Sequence, residues 1–446
     1  MPIGEKVLVA GRVVLVDKLG QISRLGVFDV VENIEVIVFE QIESNGGSVP
    51  VFLTRTEENI RAMNKLIHYG DIVLIEGTKR VAGGTEVLIG DRITLLSKAI
   101  GDIYDPNIDF RKRSNLYGHR HIQLSRDPEG IAHFKRCSTI FRVIRQFLYE
   151  QGFEELNLTL LQDSFEAGLA DPFMTRDTQQ RRDLYLRLTS ELFLRKLMIA
   201  GFSRVFEIGK SFRNQGSTRD TLPQFTILEL YQAYATRQGI EQLLRDMICT
   251  VLVELFGSAQ FQWQGKTIDC SGVWPSLDFK KELFRCIDQE YDEHLPVEDL
   301  AVWLDELGID RPSVLNKYTI ANALYSQVVS NISGPAFLRN LPAAQSPLFK
   351  LNDDGSTVDE TLLVINGVFV ADIVNPERDP EILRARMSEQ LKYRQAGQVS
   401  CVNEDILEAM KFGLPPCRGI GMGLERLMKL ILDLEDIREA ELFPVF

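Results

Sequence analysis

Cysteine is scarce in this sequence, and its few cysteines are not spaced as metal ligands. The 446 residues contain six cysteines, and no two of them form a C-x-x-C pair. This spacing argues against a structural zinc site and against a disulfide framework, so we expect buried, inert thiols.

Long apolar runs are missing as well. No uncharged apolar stretch reaches the roughly 18 residues that a membrane span needs, so we expect no transmembrane helix. The N-terminal stretch "MPIGEKVLVAGRVV" lacks the basic and then apolar layout of a signal peptide. We therefore expect a cytoplasmic protein.

Positive charge is in deficit over the whole chain. The formal net charge is −13 at pH 7, which disfavours non-specific binding of nucleic acid by the whole surface. One segment differs, because residues 110–146 contain nine Lys or Arg against two Asp or Glu. This segment, the basic strip, could contact a polyanion, although a charged surface helix has the same composition.

The hydrophobic pattern predicts an α+β fold with at least two domains. Residues 7–98 contain short β-branched runs separated by turn formers, as in a five-stranded barrel of the oligonucleotide/oligosaccharide-binding (OB) type. Other small β-barrels share this pattern. The stretch "DIYDPNIDFRKR" interrupts the periodicity, so we place the barrel in residues 1–104 and a second domain in residues 105–446.

The second domain is predicted to combine helices with antiparallel strands. A helix pattern in "GIAHFKRCSTIFRVIRQFLYEQGF" precedes a strand pattern in "EELNLTLLQ". Residues 204–235 predict an antiparallel hairpin with a polar loop, and residues 236–310 are largely helical by pattern. Two strands, "TLLVING" and "VFVADIV", precede a predicted helix at 380–397.

Two arginines stand beside the segments that most resemble ligand sites. Arg213 ends the first strand of the predicted hairpin, where it could be a surface ion-pair partner or a clamp on a phosphate. Arg426 follows the glycine-rich "GIGMGL", whose glycines allow close backbone approach to a ligand. The glycine-rich segment lacks a P-loop lysine and follows no first βαβ strand, so a Rossmann interpretation fails.

Together these segments resemble motifs of the class II aminoacyl-tRNA synthetases, and the sequences of the motifs most resemble those of the lysyl-tRNA synthetases. "RVFEIGKSFRNQG" with "QFTILELYQAYA" resembles motif two (about 204–235). "RGIGMGLERLMKLIL" resembles motif three (about 419–432), and "PAFLRNLPAAQSPLFK" resembles the segment that leads to a metal-binding acid. Residues 1–104 resemble the anticodon-binding barrel, so the resemblance covers nearly the whole chain.

The resemblance implies that a substrate carboxylate attacks the α-phosphate of ATP and gives an aminoacyl-adenylate and pyrophosphate. Charge then builds up on phosphate oxygens, which guanidinium groups and Mg²⁺ stabilise. By position, ATP would contact Arg213, Gln215, Phe225 and Arg426, of which Arg213 and Arg426 are catalytic. The amino acid would contact Glu191, Glu229, Tyr231 and Asp372, and Glu360 would bind Mg²⁺. Taken singly, Glu191, Glu229 and Glu360 would be interpreted as solvated carboxylates of a helix or a strand edge, and only their shared register favours the site roles.

Several positions depart from the lysyl-tRNA synthetase pattern. Gln215 stands where the family has a glutamate that reads adenine. Aligned without gaps from Glu360, the second metal glutamate falls on Gly367, and the positions that hold lysine fall on Val370, Asp372 and Val374. A gap would change this register. In the barrel, the base-stacking aromatic falls on or near Arg24 and the base-reading glutamine on Glu35, which weakens the expectation of anticodon reading.

The leading hypothesis is a homodimeric, ATP-dependent ligase that attaches an amino acid to tRNA, with lysine as the first candidate. A second hypothesis is a divergent paralogue that activates another amino acid and transfers it to a protein or a small molecule. A third is a catalytically silent binding or regulatory protein that keeps the ATP-site arginines for folding. Pyrophosphate exchange over a panel of amino acids distinguishes the three.

Overall fold

The computed structural model describes residues 5–19, 22–28, 33–38, 51–53, 65–82, 85–101, 108–125, 127–164, 170–288, 295–312, 314–343, 346–392 and 402–445. These residues belong to two compact units, Met1–His133 and Phe134–Phe446. The domain boundary predicted between residues 104 and 105 lies outside the described residues.

The first unit is built on strands whose pairing closes into a ring. The strands are Lys6–Leu19 (β1), Ile22–Phe28 (β2), Asn33–Val38 (β3), Val51–Leu53 (β4), Ile72–Ala82 (β5) and Thr85–Ser97 (β6). β1 pairs with β2 and β5, β2 with β3, and β5 with β6, all antiparallel. A parallel pairing of β3 with β6 closes the ring, and β4 pairs with β6. Five strands thus close in the order expected of an OB-type barrel, which confirms this part of the predicted fold.

Most of the helices belong to the second unit. The helices are Arg113–Gly118 (α1), Arg120–Leu124 (α2), Pro128–Glu150 (α3), Glu191–Ile199 (α4), Arg237–Phe256 (α5), Phe279–Ile287 (α6), Val297–Glu306 (α7), Lys317–Ser330 (α8), Pro380–Leu391 (α9), Glu404–Met410 (α10) and Leu424–Ile431 (α11), with a 3-10 helix at Ile437–Ala440. No helix among these combines the length and the apolar character of a membrane span.

The second unit contains an eight-stranded mixed sheet and two small sheets. Its strands are Glu154–Glu155 (β7), Leu161–Gln162 (β8), Met174–Asp177 (β9), Arg182–Leu186 (β10), Arg204–Phe212 (β11), Gln224–Ala233 (β12), Gln260–Trp263 (β13), Lys266–Asp269 (β14), Ser276–Asp278 (β15), Pro335–Pro342 (β16), Thr357–Ile365 (β17), Val368–Val374 (β18) and Cys417–Gly423 (β19). The large sheet has the order β15-β16-β17-β18-β19-β12-β11-β7. Its two outermost pairings are parallel and the others are antiparallel.

The centre of the large sheet is covered on both faces. Every residue of β17 is buried, which explains why "TLLVI" reads as an unbroken apolar run rather than an alternating one. One apolar cluster packs α3, α5 and α11 against the sheet, and a second cluster packs α6, α7 and α8 against it. The sheet is therefore a rigid support for the polar side chains that it carries.

Several predicted elements are confirmed, and others are wrong. The β11–β12 hairpin, the β17 and β18 strands, and the β19 strand running into α11 occur where they were predicted. The strand expected over residues 154–162 is instead two separate two-residue strands. Residues 236–310 contain the helices α5, α6 and α7, in agreement with the predicted helical pattern, and also three short strands between α5 and α6 that were not predicted.

Candidate functional site

The site is built on three neighbouring strands of the large sheet. Glu229 of β12 and Asp372 of β18 are both paired in register with Gly421 of β19, which lies between them. Residues directly opposite each other in paired strands point to the same face of a sheet. The two carboxylates therefore project from the same face, separated by a strand position that has no side chain.

Glycines of β19 make room for the side chains of the adjacent strands. A Cβ at Gly421 would lie 2.5 Å from Asp372 Oδ1, and a Cβ at Gly419 would lie 2.6 Å from Tyr231 Cζ. Such contacts are shorter than any real Cβ contact, so Gly419 and Gly421 are required by protein side chains. Close approach of the backbone to a ligand, the reason expected from the sequence, stays a prediction for these positions.

A cavity of about 760 Å³ lies above this face of the sheet. Eight of the nine predicted site residues line it, namely Glu191, Arg213, Gln215, Phe225, Glu229, Tyr231, Asp372 and Arg426. They come from α4, β12, β18, α11 and the loop that follows β11. Segments far apart in the sequence therefore meet at one cavity, as the resemblance of their motifs implied.

Two arginines at the cavity lack carboxylate partners. The Arg213 guanidinium lies over the Phe225 ring, with its Cζ 5.2 Å from the centroid, and that of Arg426 lies 5.3 Å from the Phe369 centroid. Neither forms an ion pair within the part of the chain that the structure describes. Burial, together with repulsion from Arg213, lowers the pKa of Arg426. Two nearby guanidinium groups without counterions form a site for a polyanion such as a triphosphate.

Glu229 is held in place by hydrogen bonds from the residues that precede α4. Thr189 Oγ1 donates to its Oε1, and the Ser190 N–H and Oγ each donate to its Oε2 at 2.7 Å. Burial raises the pKa of Glu229, an effect that the Thr189 hydrogen bond opposes and the charge of Glu191 reinforces. Ser190 precedes α4 yet does not cap it with its side chain, because its hydroxyl serves Glu229 instead.

Glu191 and Tyr231 share a hydrogen-bonded group with a buried arginine. Tyr231 Oη donates to Glu191 Oε1 at 2.8 Å, and Arg195 Nη2 donates to the same oxygen. Arg195 is fully buried, and its Nε donates to Tyr231 Oη at 3.3 Å. Glu191 Oε2 accepts no hydrogen bond from the described residues. That oxygen is available to a substrate ammonium, while Arg195 fixes the carboxylate.

Asp372 forms no ion pair and no side-chain hydrogen bond with any other described residue. Burial raises the pKa of its carboxyl to about 7, and the charges of Glu191 and Glu229 add to the rise. An acid that lacks a partner inside a cavity is costly for the protein to keep ionised. A ligand with a positive charge would remove this cost.

Glu360 differs from the other predicted residues, since it is not among the side chains that line the cavity. It is 8% exposed and accepts a hydrogen bond from Ser346 Oγ at 2.7 Å. Burial and then the charge of Asp372 raise the pKa of Glu360 to about 8.

The described residues contain no group of three or more His, Cys, Asp or Glu side chains placed to hold a metal ion. Gly367, the gap-free position of the second metal acid, lies with Asn366 in the tight turn between β17 and β18, at φ 80°. A side chain there would be strained and 3.1 Å from the Ser330 carbonyl oxygen. The turn therefore favours a register with a gap, and the role of Glu360 as a metal ligand stays a prediction.

The loop after β11 is tied down over the cavity. Lys429 Nζ donates to the Arg219 carbonyl oxygen at 3.1 Å and to Asp220 Oδ1 at 2.5 Å. The Ile437 N–H donates to the same Arg219 carbonyl at 2.9 Å. Because Asp220, Thr221 and Leu222 line the cavity, these contacts set the shape of its wall.

Several lining residues were not found from the sequence. Gln390 of α9 and the segment 346–349 reach the cavity, and Tyr318 and Asn322 reach it from α8. Tyr318 and Asn322 are four residues apart in α8, a spacing that says only that they share a face. No local signal separates Gln390 from the other polar residues of α9.

Comparison with known proteins agrees with this geometry. The model of the family "tRNA synthetases class II (D, K and N)" matches residues 112–446. Over 417 residues the chain is 30% identical to a lysine–tRNA ligase from Fervidobacterium nodosum, covering 91% of this chain and 81% of that protein. A lysine–tRNA ligase from Coxiella burnetii is also 30% identical, with 91% and 83% covered. One from Enterococcus faecalis is 28% identical over 413 residues, with the same coverage. The chain belongs to the class II aminoacyl-tRNA synthetases.

Proposed function

We propose that this protein activates an amino acid with ATP as an aminoacyl-adenylate and transfers the aminoacyl group to tRNA, with lysine as the first candidate. One observation carries the proposal. A single cavity has unpaired guanidinium groups, Arg213 and Arg426, and also carboxylates that no cation fully neutralises, Glu229 and Asp372. ATP and an amino acid have the complementary charges.

In the activation step, an oxygen of the substrate carboxylate attacks the α-phosphorus of ATP, and the bond from that phosphorus to the bridging oxygen of pyrophosphate breaks. Arg213 is placed to contact both the carboxylate and the α-phosphate, which holds two mutually repelling anions together. Arg426 contacts the terminal phosphate and so stabilises the leaving pyrophosphate. The negative charge that develops on the phosphate oxygens is therefore stabilised by Arg213 and Arg426, which are already oriented before the reaction.

Stacking and amide contacts position the two substrates. Phe225 stacks its ring against adenine, on the ring face that Arg213 does not cover. Gln215 lies near Arg213 in the loop after β11, and its amide offers both a donor and an acceptor to the base. At the other end of the cavity, Glu191 Oε2 accepts from the substrate α-ammonium. Glu229 and Tyr231 line the space that the amino-acid side chain enters.

The acceptor and the assembly belong to the same proposal. The lysine–tRNA ligases that resemble this chain point to tRNA as the acceptor and to lysine as the amino acid. A homodimer, Mg²⁺ supplied with ATP, and a cytoplasmic location also stay proposals. Anticodon reading by the barrel has the least support of these proposals. Arg24 on β2 and Glu35 on β3 stand where the family has its base-stacking aromatic and its base-reading glutamine.

The test is ATP–pyrophosphate exchange with each of the twenty amino acids, followed by aminoacylation of total tRNA. Exchange with lysine and charging of tRNA are the expected results. Exchange with a different amino acid would support the divergent paralogue and exclude lysine. The absence of exchange with every amino acid, in a protein that still unfolds cooperatively, would exclude both enzyme hypotheses.

A further inference from the structure

We propose that Lys429 keeps Arg426 available to ATP by holding the carboxylate of Asp220, which would otherwise pair with that arginine. This role rests on the proposed function, in which Arg426 contacts the terminal phosphate. Lys429 is thus a positioning residue, because it acts on ATP through Arg426 and does not itself contact the nucleotide.

Helix α11 carries Arg426 and Lys429 on one face, because residues three apart in a helix are neighbours on its surface. The loop after β11 contacts this face, where Asp220 Oδ1 accepts from Lys429 Nζ at 2.5 Å. Asp220, Arg426 and Lys429 together line a second cavity, of about 640 Å³. Asp220 and Arg426 also line the cavity above the sheet, so the carboxylate borders the same space as both cations.

Lys429 is the fixed member of its ion pair. Its side chain is 13% exposed and also donates to the Arg219 carbonyl oxygen at 3.1 Å, whereas the side chain of Asp220 is 76% exposed. An exposed aspartate can change its rotamer at little cost, so the ion pair orients Asp220 more than it orients Lys429. Without this lysine, the Asp220 carboxylate is free to turn toward another cation.

The position of the loop does not depend on Lys429 alone. The Ile437 N–H donates to the Arg219 carbonyl oxygen at 2.9 Å. Thr218 Oγ1 accepts from the N–H groups of Asp220 and Thr221, each at 3.1 Å. These hydrogen bonds hold the backbone of Asp220 close to α11 when the lysine is removed. Removing Lys429 therefore frees the carboxylate without taking it away from the site.

Arg426 is the cation that a released Asp220 carboxylate would meet. Its guanidinium lies over the Phe369 ring and forms no ion pair with the described residues. Burial lowers the pKa of Arg426 and the charge of Asp220 acts in the opposite direction, so the two groups interact across the shared cavity. An ion pair between them would occupy N–H donors that the terminal phosphate needs. ATP would then have to displace the carboxylate before it could bind Arg426.

Two other roles for Lys429 lead to different expectations. If Lys429 only anchored the loop, or if it contacted a phosphate itself, removal of the Asp220 charge would not compensate for the loss of the lysine. If Lys429 restrains Asp220, the lysine becomes unnecessary once the carboxylate is gone. The double variant Lys429→Met/Asp220→Asn therefore separates restraint of Asp220 from the other two roles.

The experiment measures ATP binding by isothermal titration calorimetry and KM values in ATP–pyrophosphate exchange. Lys429→Met should weaken ATP binding and raise KM for ATP about tenfold, the size expected when a charge-assisted contact is lost, while KM for the amino acid stays unchanged. The double variant should return both ATP constants to within about twofold of the native values.

Lys411→Met is the matched control, because it breaks an exposed lysine–glutamate pair with Glu408 on α10 and should leave all constants at their native values. Native ATP affinity in Lys429→Met, or a double variant as weak as the single one, would overturn the inference. If Lys429→Met does not unfold cooperatively, Lys429→Gln replaces it in both variants. If exchange occurs with no amino acid, the proposed function fails, and the calorimetric ATP affinities alone decide the role of Lys429. A native protein that binds no ATP overturns that role as well.

Discussion

At the residue scale, the arginines of this region are of two kinds: some form buried ion pairs within the protein, and others keep their guanidinium groups available to a ligand. Arg187 is fully buried and donates to Glu207 at 2.7 Å, and Arg195 is fully buried against Glu191. Arg213 and Arg426 instead lie over aromatic rings and have no carboxylate partner among the described residues. A guanidinium that lies over a ring keeps its N–H donors free for an anion, whereas an ion pair would occupy those donors.

Arg426→Ala should abolish ATP–pyrophosphate exchange while the protein stays folded. The substitution removes the group that holds the terminal phosphate, and losing one such electrostatic contact typically lowers kcat by about 10²- to 10³-fold. The free energy of unfolding should change little, since the side chain forms no ion pair with the described residues. Exchange assays and urea unfolding measure the two effects.

Arg384→Ala, on the outer side of α9, removes an exposed ion pair with Glu404 and is the control. Its exchange rate should equal that of the native protein. Exchange by Arg426→Ala at the native rate would rule out the phosphate role.

The raised pKa of Asp372 predicts a stability that depends on pH. The folded chain holds the proton of this carboxyl up to about pH 7, whereas an ordinary aspartate releases it near pH 4. An acid whose pKa is raised by folding stabilises the fold at low pH, and this contribution is lost as pH rises from about 4 to 7. The charged groups that act on this carboxyl are Glu191, Glu229, Glu360, Arg213 and Arg426.

Without substrate, the free energy of unfolding of the second unit should therefore fall between pH 5 and pH 7. Asp372→Asn should reduce the slope by at most ~1.4 kcal/mol per pH unit. Urea unfolding at several pH values measures it, and the three tryptophans, Trp263, Trp274 and Trp303, all report on the second unit. An identical slope in the native protein and in Asp372→Asn would show that this carboxyl does not titrate as stated.

At the element scale, strand β19 is shaped by its neighbours. Tyr231 lies over Gly419 and Asp372 lies over Gly421. These two side chains of the adjacent strands occupy the space that side chains of β19 would otherwise take. A glycine-rich strand of this kind lowers local stability unless packing requires it. The consequence is that a substitution here acts on the site through Tyr231 and Asp372.

Gly419→Ala should destabilise the second unit by about 1–3 kcal/mol, because its Cβ would overlap the buried Tyr231 ring. Gly421→Ala should cost less, since the Asp372 carboxylate is the free end of a side chain, but should raise KM for the amino acid. Gly272→Ala is the control, because a Cβ there meets nothing within 4 Å. Urea unfolding and exchange kinetics measure these effects, and equal stability of Gly419→Ala and Gly272→Ala would contradict the packing argument.

The same element scale shows what sequence patterns can predict. The strands of the β11–β12 hairpin are long, with 9 and 10 residues, and a polar loop separates them, so the hairpin was predicted correctly. Strands β13 and β14 have four residues each and lie between helices, so the surrounding helical pattern obscured them. Seven of the eight cavity residues followed from matched motifs, whereas Asp372 followed from the gap-free alignment that starts at Glu360. Gln390 was not found, because its place at the cavity depends on a long-range contact of α9 with segment 346–349.

At the scale of the whole molecule, charge limits how a tRNA could bind. The chain carries 50 Lys and Arg against 63 Asp and Glu, and residues 1–100 contain 11 against 13. A polyanion therefore needs a local concentration of positive charge. Within the basic strip, Arg142 is paired with Glu254 and Arg145 with Glu155, which leaves these two arginines partly neutralised.

Lys135 and Arg136 are the residues of α3 best placed for phosphate, because both are exposed and neither forms an ion pair with the described residues. The double variant Lys135→Ala/Arg136→Ala should weaken tRNA binding for all sequences alike. The slope of log affinity against log salt should fall in magnitude by about 2, one for each lost phosphate contact. Filter binding or fluorescence anisotropy over a salt series measures this slope.

A control of equal charge separates local contact from net charge. Lys266→Ala/Lys281→Ala also removes two exposed positive charges from the second unit, but outside the basic strip. If only the summed charge mattered, both double variants would lower tRNA affinity equally, and the basic strip would have no special role. If the strip contacts phosphate, the salt slope changes only in Lys135→Ala/Arg136→Ala, since counterions are released where a phosphate is neutralised.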